Sequence, residues 1–248
     1  MPKNLLDFIA PGFSSSLPIR RSLTLAQRLA PEAGEQILML GYDEGRDSLA
    51  WMGKGVDLLI LCQREKEAAQ ARKAGLRAVL AHAEYLWDRE RFDGVILPDA
   101  SYRLFEPDRA VEGILQALRP GGRLLLELPL PGHLESTQRA VESSVSRLGL
   151  EGKIEKAEYC EAEQWRRQFR KRAIRLEEAQ VVYRHHMVPK TQLREWTEKI
   201  LSGRALLLDG EEHHALSKML VETLEAAAER DGTLTEEEVL LRVAGQRV

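Results

Sequence analysis

The side chains able to do chemistry stand at the ends of a series of apolar runs. QILML (36–40) runs into Gly41-Tyr42-Asp43-Glu44-Gly45. A glycine at such a turn lets bare backbone approach a ligand, because it carries no Cβ to block contact or resist positive φ. VDLLILC (56–62) ends in Cys62 and Gln63, a thiol and then an amide able to hold a hydroxyl. LRAVLAH (76–82) leads into Ala83 and Glu84, and RFDGVILPD (91–99) ends in Pro98 and Asp99, with Tyr102 close behind. His82, Glu84 and Asp99 are candidate proton acceptors by position alone, so no catalytic base is assigned. Asp99 or Tyr102 could orient a substrate; a capped solvent turn is the plainer role for that loop.

Other chemistries lack their patterns. The adjacent pairs His185-His186 and His213-His214 point to different faces of a strand or lie 100° apart on a helix, so neither makes an i, i+4 metal pair, and no metal site is expected. No serine sits in a Gly-x-Ser-x-Gly elbow. No Gly-x-x-x-x-Gly-Lys-Ser/Thr loop occurs, and Gly41 to Gly45 has the wrong spacing for a nicotinamide fingerprint, with Cys62 in place of its acid.

The elements that position these residues follow from periodicity. Apolar runs at 36–40, 56–62, 76–82, 91–99 and 119–129 alternate with helical patterns, which predicts a mostly parallel sheet buried on both faces. Ligands of such sheets sit at the carboxyl ends of the strands. Ile19 to Leu29 shows helical spacing, residues 63–75 read as a helix stopped by Gly75, and Pro107 opens a helix with Val111, Ile114, Leu115 and Leu118 on one face. After Pro131 the chain turns polar and helical at 132–149, 161–173, 191–201 and 211–230, with strands expected at 179–184 and 237–243. Trp165 and Phe169 share a helix face and read as core, while Arg166, Arg167, Arg170, Lys171 and Arg172 read as its solvated side. The expected organisation is one domain over 1–248: an arm and first helix to 35, a ligand-binding core over 36–129, and a helical lid with the last strands over 130–248.

Composition narrows the class. The 248 residues carry a net charge of -3, which argues against a general nucleic-acid binder. Two cysteines, Cys62 and Cys160, give no disulfide framework. No apolar run of about 18 residues and no charged-then-apolar leader occurs, so a cytoplasmic protein without a membrane partner is expected.

The block RFDGVILPDASYRLFEPDRAVEGILQALRPGGRLLLELP (91–129) resembles the class I S-adenosylmethionine-dependent methyltransferases, with Phe-Asp, a fourth strand, a loop, a helix, Arg-Pro-Gly-Gly and a fifth strand in order. Residues 36–129 carry the resemblance, and the tail from 176 is similar in layout only. It implies a doubly wound, Rossmann-like α/β sheet with a helical lid or C-terminal addition. It also implies S-adenosylmethionine as cofactor, with Gly41, Tyr42 and Gly45 at its methionine part and ribose, Cys62 and Gln63 at the ribose hydroxyls, Ala83 and Glu84 at adenine, and Pro98 bordering the site. The chain departs from three of that family's motifs, one of them after the third strand, where Ala81-His82-Ala83-Glu84 stands in place of a frequent Gly-Asp-Ala. Met39 stands where an acid begins the first loop, Asp43 replaces its middle glycine, and Cys62 replaces the ribose-binding carboxylate. Two functions follow from the resemblance. One is methyl transfer to a small-molecule acceptor. The other is a catalytically inactive module of the same fold, an interaction or regulatory subunit with a protein partner or a second copy of itself.

Overall fold

A computed structural model describes residues 25–86, 88–98, 102–104, 106–202, 204, 207–228 and 232–248. Asp99 and the amino-terminal arm lie outside the described residues, and of the helix expected over 19–29 the described part is α1, Leu25–Leu29. The strands β1 (Gln36–Leu40), β2 (Asp57–Cys62), β3 (Arg77–Leu80), β4 (Phe92–Leu97), β5 (Leu118–Pro129), β6 (Ile174–Pro189) and β7 (Thr233–Arg247) form a seven-stranded sheet in the order β3-β2-β1-β4-β5-β7-β6. The first five run parallel, and β7 lies antiparallel between β5 and β6. The expected mostly parallel, doubly wound sheet is therefore the fold.

Alternation along each strand explains why both faces are covered. Ile37 and Met39 of β1, Ile60 of β2 and Ile96 of β4 pack beneath α1, α2 (Ser48–Gly53) and α3 (Glu65–Lys73), with Leu29, Trp51, Ala68 and Ala71. Leu38 and Leu40, Val95 and Leu97, and Leu124, Leu126 and Leu128 face the other way. They meet Val111 and Ile114 of α4 (Pro107–Ala117) and Trp165 and Phe169 of α6 (Ala162–Arg170). The basic side of α6 is tied into the surface, with Arg170 on Glu163 at 2.8 Å and Arg172 reaching Asp108 at 2.7 Å.

A third apolar cluster makes the helical addition. Helices α5 (Glu135–Leu148), α7 (Leu193–Ser202) and α8 (Gly210–Ala227) enclose Val141, Leu193, Leu216, Leu220 and Leu224 against Val188 and Leu234 at the far ends of β6 and β7. Asp209 caps α8 by accepting from Glu211 N and Glu212 N, both at 2.9 Å, and the Glu212 carboxylate returns a bond to Asp209 N. Strands β6 and β7 are longer than the sequence pattern suggests. Only the stretch of β7 from Leu240 to Gln246 pairs with β5, and there Leu240, Leu241, Val243 and Ala244 are apolar while Arg242 pairs with Glu127; Thr233 to Val239 pairs with β6 alone and carries a polar outer side. No helix among the described residues is long and apolar enough to cross a membrane.

Candidate functional site

The turn after β1 is built as its sequence requires but is closed by the chain itself. Gly41 and Gly45 hold φ of 85° and 84°, where side chains are strained. Asp43, 1% exposed, turns its carboxylate back into the turn. It accepts from Gly45 N at 3.0 Å, Asp47 N at 2.6 Å, Ser48 N at 2.9 Å and Ser48 Oγ at 2.5 Å, so it holds the turn and the amino end of α2 together. Glu67, from the first turn of α3, accepts from Tyr42 N at 2.6 Å. Two carboxylates of the chain thus take the Tyr42 and Gly45 backbone donors of the turn. A Cβ placed on Gly41 would lie 3.1 Å from Tyr102 Cβ, so the bare face of that glycine is covered by the Tyr102 side chain.

Residues 102–104, beyond β4, fill the rest of the cleft. Tyr102 is 2% exposed, packs with Leu38, Leu40 and Leu97, and donates its hydroxyl to Ala81 O at 3.2 Å. Burial, and then the charge of Glu84, pushes its phenol well above the usual range. Arg103 follows with backbone bonds in both directions to Gln63: Gln63 Nε2 donates to Arg103 O at 2.6 Å, and Arg103 N donates to Gln63 Oε1 at 2.8 Å. Gln63 Nε2 also lies 3.2 Å from His82 Nδ1. Glu84 accepts from Glu106 N at 3.3 Å, on the other side of the same loop.

Gly41, Tyr42, Gln63, His82 and Glu84 thus converge on one edge of the sheet. Cys62 does not join them. Its place on β2 turns the thiol into the core beneath α3, and burial, reinforced by Glu67, pushes it up to about 12. Ala83 is buried with its carbonyl facing Gly113 of α4, where any Cβ would lie 2.4 Å from that oxygen. Pro98 lines a different cavity. An adenosyl cofactor does not fit the cleft in this arrangement, because the bare face of Gly41, the Tyr42 and Gly45 N–H groups and the Gln63 amide are engaged by protein atoms.

Beside the filled cleft lies a chamber of about 260 Å³ at the carboxyl ends of β4 and β5. Pro98, Leu134, Tyr159, Trp196 and Ile200 form its apolar wall, and arginines from the glycine turn, the β4 loop, β6 and the end of α7 line the remainder. An open groove of about 650 Å³, between the glycine turn with α3 and α7, shares Arg46, Arg64, His186, Trp196 and Lys199 with it. The lid is anchored over this region by Trp196 Nε1 donating to Thr137 Oγ1 at 3.0 Å, and Thr137 Oγ1 to Glu236 at 2.5 Å. Burial raises the Glu236 carboxyl. The histidine pairs are drawn apart, with His185 3.6 Å from Glu237 and His186 3.2 Å from Glu238 across the β6–β7 ladder.

The long-range role of Glu67 had no local signal in the sequence, since it depends on the turn after β1, from a different element. Tyr102 offered one weak signal, an aromatic in the loop after a strand that ends at the ligand edge.

Strand order, glycine turn and helical layers together define the fold of the class I S-adenosylmethionine-dependent methyltransferases. The chain is similar to the YcgJ protein of Bacillus subtilis, at TM-score 0.59 and 14% identity over 90% of this chain and 96% of that one. It is also similar to a candidate methyltransferase of Bacillus halodurans, at TM-score 0.57 and 16% identity over the same shares. Among curated proteins it matches the demethylmenaquinone methyltransferase of Clavibacter sepedonicus, 31% identical over 104 residues, which is 40% of this chain and 42% of that protein. The match therefore spans less than half the length of that relative. No protein-family model matches the chain.

Proposed function

We propose that this chain is a methyltransferase-fold protein that does not use S-adenosylmethionine and serves instead as a ligand-binding or regulatory module. Tyr102 seated on Gly41, with the Arg103 backbone on Gln63, is the observation that carries the proposal. Admitting a cofactor would mean exposing a buried aromatic side chain, at roughly 1.5–3 kcal/mol. It would also break two backbone-to-amide bonds, at about 1 kcal/mol each. The missing ribose carboxylate forfeits another 1.5–3 kcal/mol or so. The sum, about 5–8 kcal/mol, weakens an ordinary micromolar cofactor site to millimolar or beyond. A fold by itself does not fix chemistry, and this one can persist as a scaffold.

Methyl transfer to a small-molecule acceptor is the second reading, favoured by the match to the demethylmenaquinone methyltransferase. It requires residues 102–104 to leave the cleft when cofactor enters. Isothermal titration calorimetry with S-adenosylmethionine decides between the two. The module reading expects no saturable heat up to about 1 mM, and a micromolar Kd overturns it.

A further inference from the structure

We infer that the chamber beside the filled cleft is a binding site for a compact organic phosphate, its phosphate held by Arg204 with Arg103 and Arg184 and its carbon body against Trp196 and Ile200. Six arginine and lysine side chains line this chamber and one carboxylate, Glu238, does. The acids nearby are already matched. Glu238 binds Arg184 at 2.7 Å, Glu155 binds Arg103 at 2.7 Å, and the fully buried Glu127 is shared by Arg242 and Arg184, each at 2.6 Å.

Arg204 stands apart from those pairs. It is 9% exposed, it donates to the neutral Gln138 Oε1 at 2.5 Å, and its other side-chain partner is the neutral Tyr159 hydroxyl. None of the ion pairs among the described residues includes it. Burial, and then the neighbouring Arg103 charge, pulls its pKa down. A buried guanidinium hydrogen-bonded only to neutral groups, with the nearby Glu155 carboxylate already paired to Arg103, is an expensive arrangement, and a bound anion lowers that cost. Gln138 also donates Nε2 to Tyr159 at 3.0 Å, so Arg204, Gln138 and Tyr159 form a braced triangle that holds the guanidinium in place.

Size and shape define the ligand further. About 260 Å³ is just below the range of drug-sized sites, enough for a phosphate and a ring or short chain. Arginine forks suit tetrahedral oxyanions bidentately, and a dianion answers the local charge better than a monoanion of the same size. This inference does not rest on the cofactor reading, because the chamber lies outside the filled cleft and is titrated with a different probe.

The test is calorimetry with phenyl phosphate, with benzoate as the same ring bearing a single charge. Phenyl phosphate should bind saturably at sub-millimolar Kd, and benzoate at least about tenfold more weakly. Arg204→Gln should weaken phenyl phosphate about tenfold or more. Lys199→Gln, at an exposed position on the chamber rim, should weaken it about two- to fivefold with the fold intact, and it carries the test if Arg204→Gln does not fold. Absence of saturable phenyl phosphate binding at about 10 mM, or equal binding of benzoate, overturns the ligand class. Unchanged affinity in the folded variants overturns the location.

Discussion

Replacing Asp43 by glycine gives the first loop the residue that methyltransferase-like loops carry there, and it separates a ligand loop from a structural one. Among the described residues the Asp43 carboxylate is the acceptor for Ser48 N and Ser48 Oγ, and it also serves Gly45 N and Asp47 N. Gly45 and Asp47 are half-buried and can recruit water, whereas Ser48 is fully buried and cannot. Losing the cap costs about 1–2 kcal/mol. The stranded Ser48 donor adds roughly 1–3 kcal/mol, and the extra backbone freedom of glycine about 0.5–1 kcal/mol. The total is about 4 kcal/mol, or a fall in Tm of roughly 8–16 °C for a chain of this size. Guanidinium unfolding followed by circular dichroism, with S-adenosylmethionine titrated into the same samples, reads both consequences. The expected result is the full destabilisation with no gain of cofactor binding. A loss below about 1 kcal/mol, or the appearance of binding, would refute the structural role assigned to Asp43.

Further expectations follow from the same packing. Tyr102→Ala should destabilise the chain by about 3–5 kcal/mol in chemical denaturation, as for other buried aromatic truncations, whereas a surface-loop role for Tyr102 would leave it within about 0.5 kcal/mol. Glu127→Ala strands the largely buried Arg242, while Arg184 keeps Glu238, and should cost about 3–5 kcal/mol; a neutral result would mean that Arg242 finds another partner. The Cys62 thiol has its folded pKa raised from 9.0 to about 12, so the folded state keeps a proton that the unfolded chain releases. Its stabilising contribution is therefore complete below about pH 9 and fades as pH rises toward 12, and unfolding measured from pH 8 to 10 should show a shallower decline in Cys62→Ala than in the wild type. Identical slopes would contradict the burial assigned to that thiol.

Much of the fold was legible because a sheet covered on both faces writes itself as short, unbroken apolar runs. The strands found at 36–40, 57–62, 77–80 and 92–97 sit within the runs read from sequence. The helices at 135–148, 162–170, 193–202 and 210–227 likewise follow apolar spacing and end near their polar breaks. The ends of β6 and β7 were not legible, since a two-stranded ribbon with an exposed face has no apolar run to announce it. At the site, the sequence located the edge but not what fills it. Asp43 and Cys62 were visible as departures, but the direction of each side chain depends on the local backbone. Asp43 curls into its own turn, and Cys62 takes the core-facing phase of β2. The closing contacts pair residues from distant elements, Tyr102 with Gly41 and Ala81, Arg103 with Gln63 and Glu67 with Tyr42, and no spacing along the chain encodes them. The arginine chamber is gathered in the same way, from segments spread between Arg46 and Arg204.

The central claim is that the Tyr102 side chain takes the place over Gly41 where the ribose and methionine part of the cofactor would lie. Crystals soaked in millimolar S-adenosylhomocysteine test it directly. The account expects density over Gly41 that fits the Tyr102 side chain with its hydroxyl on Ala81 O, unchanged from unsoaked crystals. Density for the ribose and methionine part of the cofactor in that position, with residues 102–104 displaced, would contradict it.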